Sequence, residues 1–180
     1  MRVTTVLSAL RSQCIAFRSV RSFATTRPAQ AKNRIYPSRV RNEDELQTLL
    51  LASASTRIPL LTLWMTTWSR DCDEVSPIIR GLLEKDGIGE DKGSVGFVEV
   101  EMDSPDLGGV TGIAQRYMIN KTPTLMAFDR QEPQIETKVS DLGQLKDKQF
   151  LTQWIEKEAA RHGEGGAGGS LSGLFSLFGR

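Results

Sequence analysis

Residues 60–72 decide the predicted fold and read Leu60-Leu61-Thr62-Leu63-Trp64-Met65-Thr66-Thr67-Trp68-Ser69-Arg70-Asp71-Cys72. The run at 58–65 is mostly apolar and too short for a typical helix, so it predicts a β-strand buried on both faces. Trp68 follows the run, and a helix is predicted from Ser69. The apolar residues of that helix recur at helical spacing and form one face: Val75, Ile78, Ile79, Leu82 and Leu83.

The segments on either side of this stretch complete a predicted α/β domain. Residues 35–40 predict an edge strand, and the helix after it has Asn42 as its N-cap with Glu45 three positions on, as in a capping box. The buried face of that helix is leucine: Leu46, Leu49 and Leu50. Further elements are a strand at 95–102, a helix at 105–119, a strand at 124–128, a weaker strand at 134–139 and a helix at 144–161. This order implies a mixed sheet with helices on both faces.

The N-terminal region has the composition of a targeting segment. The first 34 residues hold seven of the 23 lysines and arginines and no acidic residue, although the formal net charge of the chain is only +1. Apolar residues recur at three- and four-residue steps, opposite serines and threonines: Val3, Val6, Leu7 and Leu10. These features are typical of a mitochondrial transit peptide, with the matrix as the expected compartment. A free basic arm is the alternative.

We therefore expect four regions along the chain. They are a transit peptide at 1–23, a linker at 24–34, one folded domain at 35–162, and a Gly-rich linker with an apolar tail at 163–180. The tail from Leu171 to Phe178 is expected either to dock on a partner or a membrane surface or to remain disordered.

Composition argues against several function classes. The part after the basic head has no basic stripe with interleaved aromatics, so nucleic-acid binding is not expected. The longest apolar stretch is far shorter than the roughly 18–20 residues of a transmembrane helix. Two cysteines, Cys14 and Cys72, and the single histidine, His162, form no ligand pattern, so no metal or other cofactor is expected. His162 is interpreted as a solvated residue at a helix end.

Three segments in order resemble thioredoxin. Residues 60–72, with Pro77 after them, resemble the strand and redox-site turn of that family. Residues 98–103 resemble its next central strand with a terminal aspartate, and residues 117–124 the segment that carries its cis-proline. The resemblance implies a three-layer α/β/α fold around a central mixed sheet. It also implies a cis Thr122–Pro123 bond beside the turn from Trp68 to Cys72.

The same resemblance identifies departures from the family's dithiol site. Ser69 stands at the position of the first, nucleophilic cysteine, Cys72 keeps the second, and Leu63 stands at the position of a buried acid. Disulfide exchange needs a thiolate, and a serine hydroxyl is not appreciably ionised near neutral pH. We expect Ser69 to cap the helix with its side-chain oxygen. We expect Cys72 to be buried and slow to react, because Asp71 and Asp73 beside it disfavour a thiolate.

Two functions remain open. The first is a protein-binding or structural module for a mitochondrial protein or peptide, in which an extended segment pairs with the backbone at Thr122. The groove is expected to be lined by Trp68, Ser69, Cys72, Met118, Thr122 and Pro123. The alternative is a monothiol redox or glutathione-dependent enzyme that uses Cys72 or Ser69, with Arg70 and Lys121 as candidate clamps for carboxylates. The missing dithiol favours the first function.

Overall fold

The computed structural model describes residues 32–107 and 112–164. The predicted transit peptide and apolar tail, and most of the predicted linker, lie outside the described residues. The elements follow in the order β1 (Arg34–Ile35), α1 (Glu43–Thr56), β2 (Leu60–Met65), α2 (Arg70–Glu84), β3 (Gly96–Glu101), α3 (Ile113–Arg116), β4 (Thr124–Asp129), β5 (Glu132–Pro133), α4 (Leu142–Lys146) and α5 (Lys148–Glu164). None of the helices in this part of the chain is long and apolar enough to cross a membrane.

The strands form a five-stranded mixed sheet in the order β1-β3-β2-β4-β5. The β1, β3 and β2 strands run parallel, whereas β4 pairs antiparallel with β2, and β5 antiparallel with β4. All six residues of β2 are buried, because this strand lies at the centre and both of its faces are covered. The sequence-based prediction of a mixed sheet is confirmed.

Helices cover both faces of the sheet. Alternate residues of a strand point to opposite faces, so β2 contributes Leu61 and Leu63 to one core and Leu60 and Trp64 to the other. The first core is completed by α2 and α5, with Val75, Ile79, Leu151 and Ile155. The second is completed by α1 and α3, with Leu46, Leu50 and Ile113. The result is a three-layer α/β/α arrangement.

The predicted N-cap of α1 is confirmed. The Glu45 backbone N–H donates to Asn42 Oδ1 at 2.8 Å, and the Arg41 N–H donates to Glu45 Oε2 at 3.0 Å. The helix ends at Thr56, and its C-cap residue Arg57 adopts a left-handed conformation with φ of 58°. This geometry places Leu46 and Leu50 in the core and leaves Leu49 half-buried.

Two predicted strands differ from the structure. The edge strand expected at 35–40 is limited to Arg34–Ile35, with Val40 alone bridging to Val100, because the chain bends at Pro37 and Ser38 between them. The strand expected at 134–139 is wrong: a 3-10 helix spans Ile135–Thr137, and Val139 makes only an isolated bridge with Leu125. The pairing with β4 lies earlier, in β5.

Two predicted helices also differ. The helix expected at 105–119 is wrong in extent, because Pro105–Leu107 is a 3-10 turn and α3 covers only Ile113–Arg116, with 108–111 outside the described residues. The helix expected at 144–161 is divided into α4 and α5 at Asp147. Asp147 is extended there, and its carboxylate accepts the Gln149 N–H at 2.9 Å, so it caps the start of α5.

Candidate functional site

The turn from β2 into α2 is closed by backbone groups. Ser69 is the N-cap residue of α2, but its side chain makes no capping hydrogen bond. Its carbonyl oxygen instead accepts the Cys72 N–H at 3.1 Å and the Asp73 N–H at 3.4 Å. The expectation that the Ser69 hydroxyl caps the helix is therefore wrong, although the position of Ser69 at the helix start is as predicted.

Cys72 lies in the first turn of α2 and is a free thiol. Its side chain is 0% exposed. The thiol is covered because α2 packs on the sheet with the face that also carries Val75 and Ile79. The sequence-based expectation of a buried cysteine is confirmed, and the sulfur has no access to solvent in this conformation.

Two acidic residues near Cys72, Asp71 and Glu74, are paired with cations. Lys146 Nζ of α4 lies 2.7 Å from Glu74 Oε2 and 3.5 Å from Asp71 Oδ1. Arg70 Nε lies 3.3 Å from Glu74 Oε1. The hydrogen bond from Lys146 lowers the pKa of Glu74, and Arg70 lowers it further. Arg70, a candidate carboxylate clamp, is thus engaged with a carboxylate of its own helix.

Asp103 is the second residue after the end of β3, and its side chain fixes the turn that carries Trp68. Its carboxylate accepts the Thr67 backbone N–H at 3.0 and 3.2 Å and also accepts the Thr67 hydroxyl. Burial opposes ionisation of Asp103, but these hydrogen bonds outweigh it and hold the pKa below its ordinary value. The turn presents the indole of Trp68 to solvent, 78% exposed.

The segment before β4 forms the facing side of the site. The Thr122–Pro123 peptide bond is cis. The Thr124 hydroxyl donates to the Lys121 carbonyl at 2.7 Å, which fixes the residues around this bond. Met118 lies earlier, with a left-handed φ of 55°, and its carbonyl accepts a hydrogen bond from Lys138 Nζ.

Two adjoining cavities lie on either side of Thr122. The first, which we name the Trp68 cavity, has a volume of about 370 Å³ and is lined by Thr66, Trp68, Met102, Gln115, Ile119, Asn120, Lys121 and Thr122. The second, the Asp71 cavity, measures about 390 Å³ and is lined by Asp71, Lys121, Thr122, Pro123, Ser140, Asp141 and Leu142. Lys121 and Thr122 contribute to both, so the two cavities form one continuous surface.

This surface contains only some of the residues predicted from the sequence. Trp68, Thr122 and Pro123 line it, whereas Ser69, Cys72 and Met118 line neither cavity. Met118, close in sequence to the lining residue Ile119, is 56% exposed to solvent. A larger cavity of about 570 Å³ lies elsewhere, between residues 36–40 and α1, and is lined by none of the predicted site residues.

A buried carboxylate under α2 was missed by the sequence analysis. Glu99 of β3 is in register with Leu63 of β2, and its side chain is 4% exposed. Arg80 Nε and the Ser76 hydroxyl donate to Oε1, the former at 2.8 Å, and Arg39 Nε donates to Oε2 at 2.9 Å. Burial opposes ionisation, but these hydrogen bonds together lower the pKa of Glu99. Glu99 is therefore a carboxylate at neutral pH with both oxygens engaged.

Other missed residues come from separate elements. Thr66 and Asn120 were not predicted. Their closeness in sequence to Trp68 and Pro123 was the signal that could have placed them at the site. Gln115 of α3 and Met102 after β3 carry no local pattern that indicates a site. The signal for Glu99 was present: a glutamate in a strand covered on both faces needs buried partners.

Comparisons with known proteins identify the fold. No protein-family model matches the sequence, and no curated protein matches it. Among solved structures, the chain is similar to thioredoxin NaTrxh from Nicotiana alata, with 16% identity over 72% of this chain and 96% of that one and a TM-score of 0.52. It is also similar to the thioredoxin Mala s 13 of Malassezia sympodialis, with 18% identity, 73% and 96% coverage and a TM-score of 0.52. The chain therefore has a thioredoxin-like fold.

Proposed function

We propose that this chain is a mitochondrial thioredoxin-like protein that binds an extended segment of a partner protein and does not carry out dithiol–disulfide exchange. The observation that carries the proposal is the contrast between an exposed Trp68 and a fully buried Cys72 in the same turn region. The indole of Trp68 lies at the surface, where a partner can contact it. The sulfur of Cys72, which redox chemistry would need, is buried.

Three features argue against exchange. Position 69 offers a hydroxyl, which does not form the thiolate that attacks a disulfide. Cys72, four residues after Trp68, is covered. Glu99, the buried carboxylate on this side of the sheet, accepts hydrogen bonds from Arg39, Ser76 and Arg80, and its lowered pKa makes it a weak acceptor for the proton of a thiol.

Peptide binding is supported by the surface beside Thr122. The backbone N–H and C=O of Thr122 have no hydrogen-bond partner within residues 32–107 and 112–164, and the residue is half-buried. Such groups pair with an extended segment that adds to them as a strand. Trp68 adjoins them, and large exposed aromatic side chains supply much of the binding energy in protein interfaces.

The alternative, a monothiol or glutathione-dependent enzyme, has less support. Cys72 is inaccessible, and Arg70 is paired with Glu74. Lys121 lines both cavities, and its ammonium group can donate a hydrogen bond to a peptide carbonyl as well as to a small carboxylate. This alternative predicts turnover in a glutathione-conjugation assay, whereas the binding function predicts none.

The test is a selection of displayed random peptides on the full-length chain, followed by calorimetry with the synthetic binders. We expect binders that lose at least tenfold in affinity with Trp68→Ala. The matched control is Leu51→Ala, because Leu51 is 53% exposed on α1, away from the groove. Equal binding by both variants, or reduction of insulin disulfides by the purified protein, would contradict the proposal.

The mitochondrial part of the proposal rests on residues 1–34, which hold seven basic and no acidic residues. A fluorescent protein fused after these residues is expected to enter mitochondria, and a fusion with Arg2, Arg11 and Arg18 changed to glutamine is expected to remain outside. Equal distribution of the two fusions would contradict this location.

A further inference from the structure

One polar group on the Trp68 cavity has no partner. The side chain of Thr66, directly after β2, lines the cavity and is only 6% exposed. Its hydroxyl oxygen has no hydrogen-bond partner among the described residues and is itself covered. A buried hydroxyl without a partner is unfavourable, and valine would fill the same space without that cost.

A ligand that enters the cavity can supply the missing hydrogen bond. A rotation of about 120° about the Cα–Cβ bond of Thr66 carries its hydroxyl to the position of the methyl group, and the methyl to that of the hydrogen, without moving the backbone. Because the Thr66 side chain forms part of the cavity wall, this rotation lets the hydroxyl bond to a group inside the cavity. The cavity is therefore suited to a side chain that is polar at its tip.

The remaining walls limit the chemistry of that side chain. Trp68, Met102 and Ile119 are apolar residues that line the cavity, and such walls suit an aromatic ring. Lys121 disfavours a second cation there. A ring with a hydroxyl at its tip satisfies both conditions, because it packs on the apolar walls and its hydroxyl can either donate to or accept from the Thr66 hydroxyl.

We propose that the Trp68 cavity receives a tyrosine side chain of the bound segment, with the tyrosine hydroxyl hydrogen-bonded to Thr66. This inference rests on the proposed peptide-binding function and assigns the residue that the groove selects. Phenylalanine fills the same space but leaves Thr66 unpaired, so Thr66 discriminates between the two aromatic residues.

The experiment is a double-mutant cycle on the full-length chain. Peptides selected by display are expected to share a tyrosine at one position. A synthetic binder and its Tyr→Phe analogue are then titrated into the wild type and into Thr66→Val. We expect the analogue to bind the wild type about fivefold more weakly, the usual effect of one neutral hydrogen bond, and to bind Thr66→Val at least as tightly as the tyrosine peptide, because the tyrosine hydroxyl then has no partner.

Two further measurements keep the test decisive. Thr66→Val is expected to unfold at the same temperature as the wild type or higher, which shows that any loss of discrimination is not misfolding. Thr48→Val on α1, where the Thr48 hydroxyl bonds to the Asp44 carbonyl, is the matched control and is expected to keep the discrimination. Peptides that bind, depend on Trp68 and show no coupling between tyrosine and Thr66 overturn this inference alone. Absence of any Trp68-dependent peptide overturns the binding function as well.

Discussion

Leu63 and Glu99 lie opposite each other on neighbouring parallel strands, and their side chains share the sheet face covered by α2. The buried charge on this face is therefore carried by β3, while β2 contributes only apolar atoms. Ser76 and Arg80 reach Glu99 from the helix that also bears Cys72. The carboxylate joins α2 to the sheet as a structural group, and its lowered pKa makes it a weak acceptor for a proton from the thiol.

Replacement of Glu99 is expected to destabilise the fold. In Glu99→Gln, Arg39 and Arg80 lose their carboxylate while both remain partly buried, and breaking such a pair costs about 3 kcal/mol. Urea denaturation at neutral pH measures the loss. Glu101→Gln on the same strand is the matched control and is expected to cost less, because its partner Arg41 is 64% exposed. Equal losses would contradict a special role for Glu99.

The contribution of Glu99 is expected to depend on pH. Its pKa is lower in the folded protein than the ordinary value of 4.5, so its stabilising effect is complete above that value and is lost as pH falls through the folded pKa. The difference in unfolding free energy between wild type and Glu99→Gln should shrink on acidification. A difference that stays constant from neutral pH to well below 4.5 would show that the carboxylate is not the cause.

Cys72 is expected to resist alkylation in the folded protein. The measurement is intact mass after treatment with a maleimide, on a Cys14→Ser variant so that Cys72 is the one remaining thiol. We expect no adduct under native conditions and complete reaction in concentrated guanidinium chloride, because the side chain is 0% exposed. Rapid native labelling would refute the buried state and reopen the enzyme alternative.

Trp68 is expected to contribute to binding and not to stability. Trp68→Ala should change the free energy of unfolding by no more than about 0.5 kcal/mol, since the side chain is 78% exposed. Trp64 and Trp154 are buried, so the variant should also lose the red-shifted part of the tryptophan emission. A large loss of stability would mean that the indole packs against the protein.

Asp103 is expected to hold the Trp68 turn in place. Asp103→Ala removes the acceptor for the Thr67 N–H and hydroxyl, and charged hydrogen bonds of this kind contribute about 1.5 kcal/mol or more. We expect lower stability together with weaker binding of the selected peptides, although Trp68 itself is unchanged. Asp106→Ala, close by in sequence, is the control, and an equal effect there would contradict the assignment.

Much of the fold followed from local patterns in the sequence. The apolar run at 58–65 predicted the central strand, and Asn42 with Glu45 predicted the start of α1. The break at Asp147 was missed because the apolar residues continue at helical spacing across it. Local capping by one aspartate outweighed that periodicity.

The candidate site was less accessible to sequence reasoning. Arg39 and Arg80 are 60 and 19 residues from Glu99, so no local pattern reveals that they neutralise it. The missing partner of Thr66 depends on the packing of every residue around it. Trp68, Thr122 and Pro123 were found because the resemblance to thioredoxin fixes their order along the chain.

The backbone closure at Ser69 has a consequence for substitution at this position. The carbonyl of this residue holds the first turn of α2, while the hydroxyl contributes no capping bond. Ser69→Cys would therefore break no hydrogen bond that the turn needs. One substitution could thus place a thiol at the start of α2 and change the chemistry of this position while the hydrogen bonds of the turn stay in place.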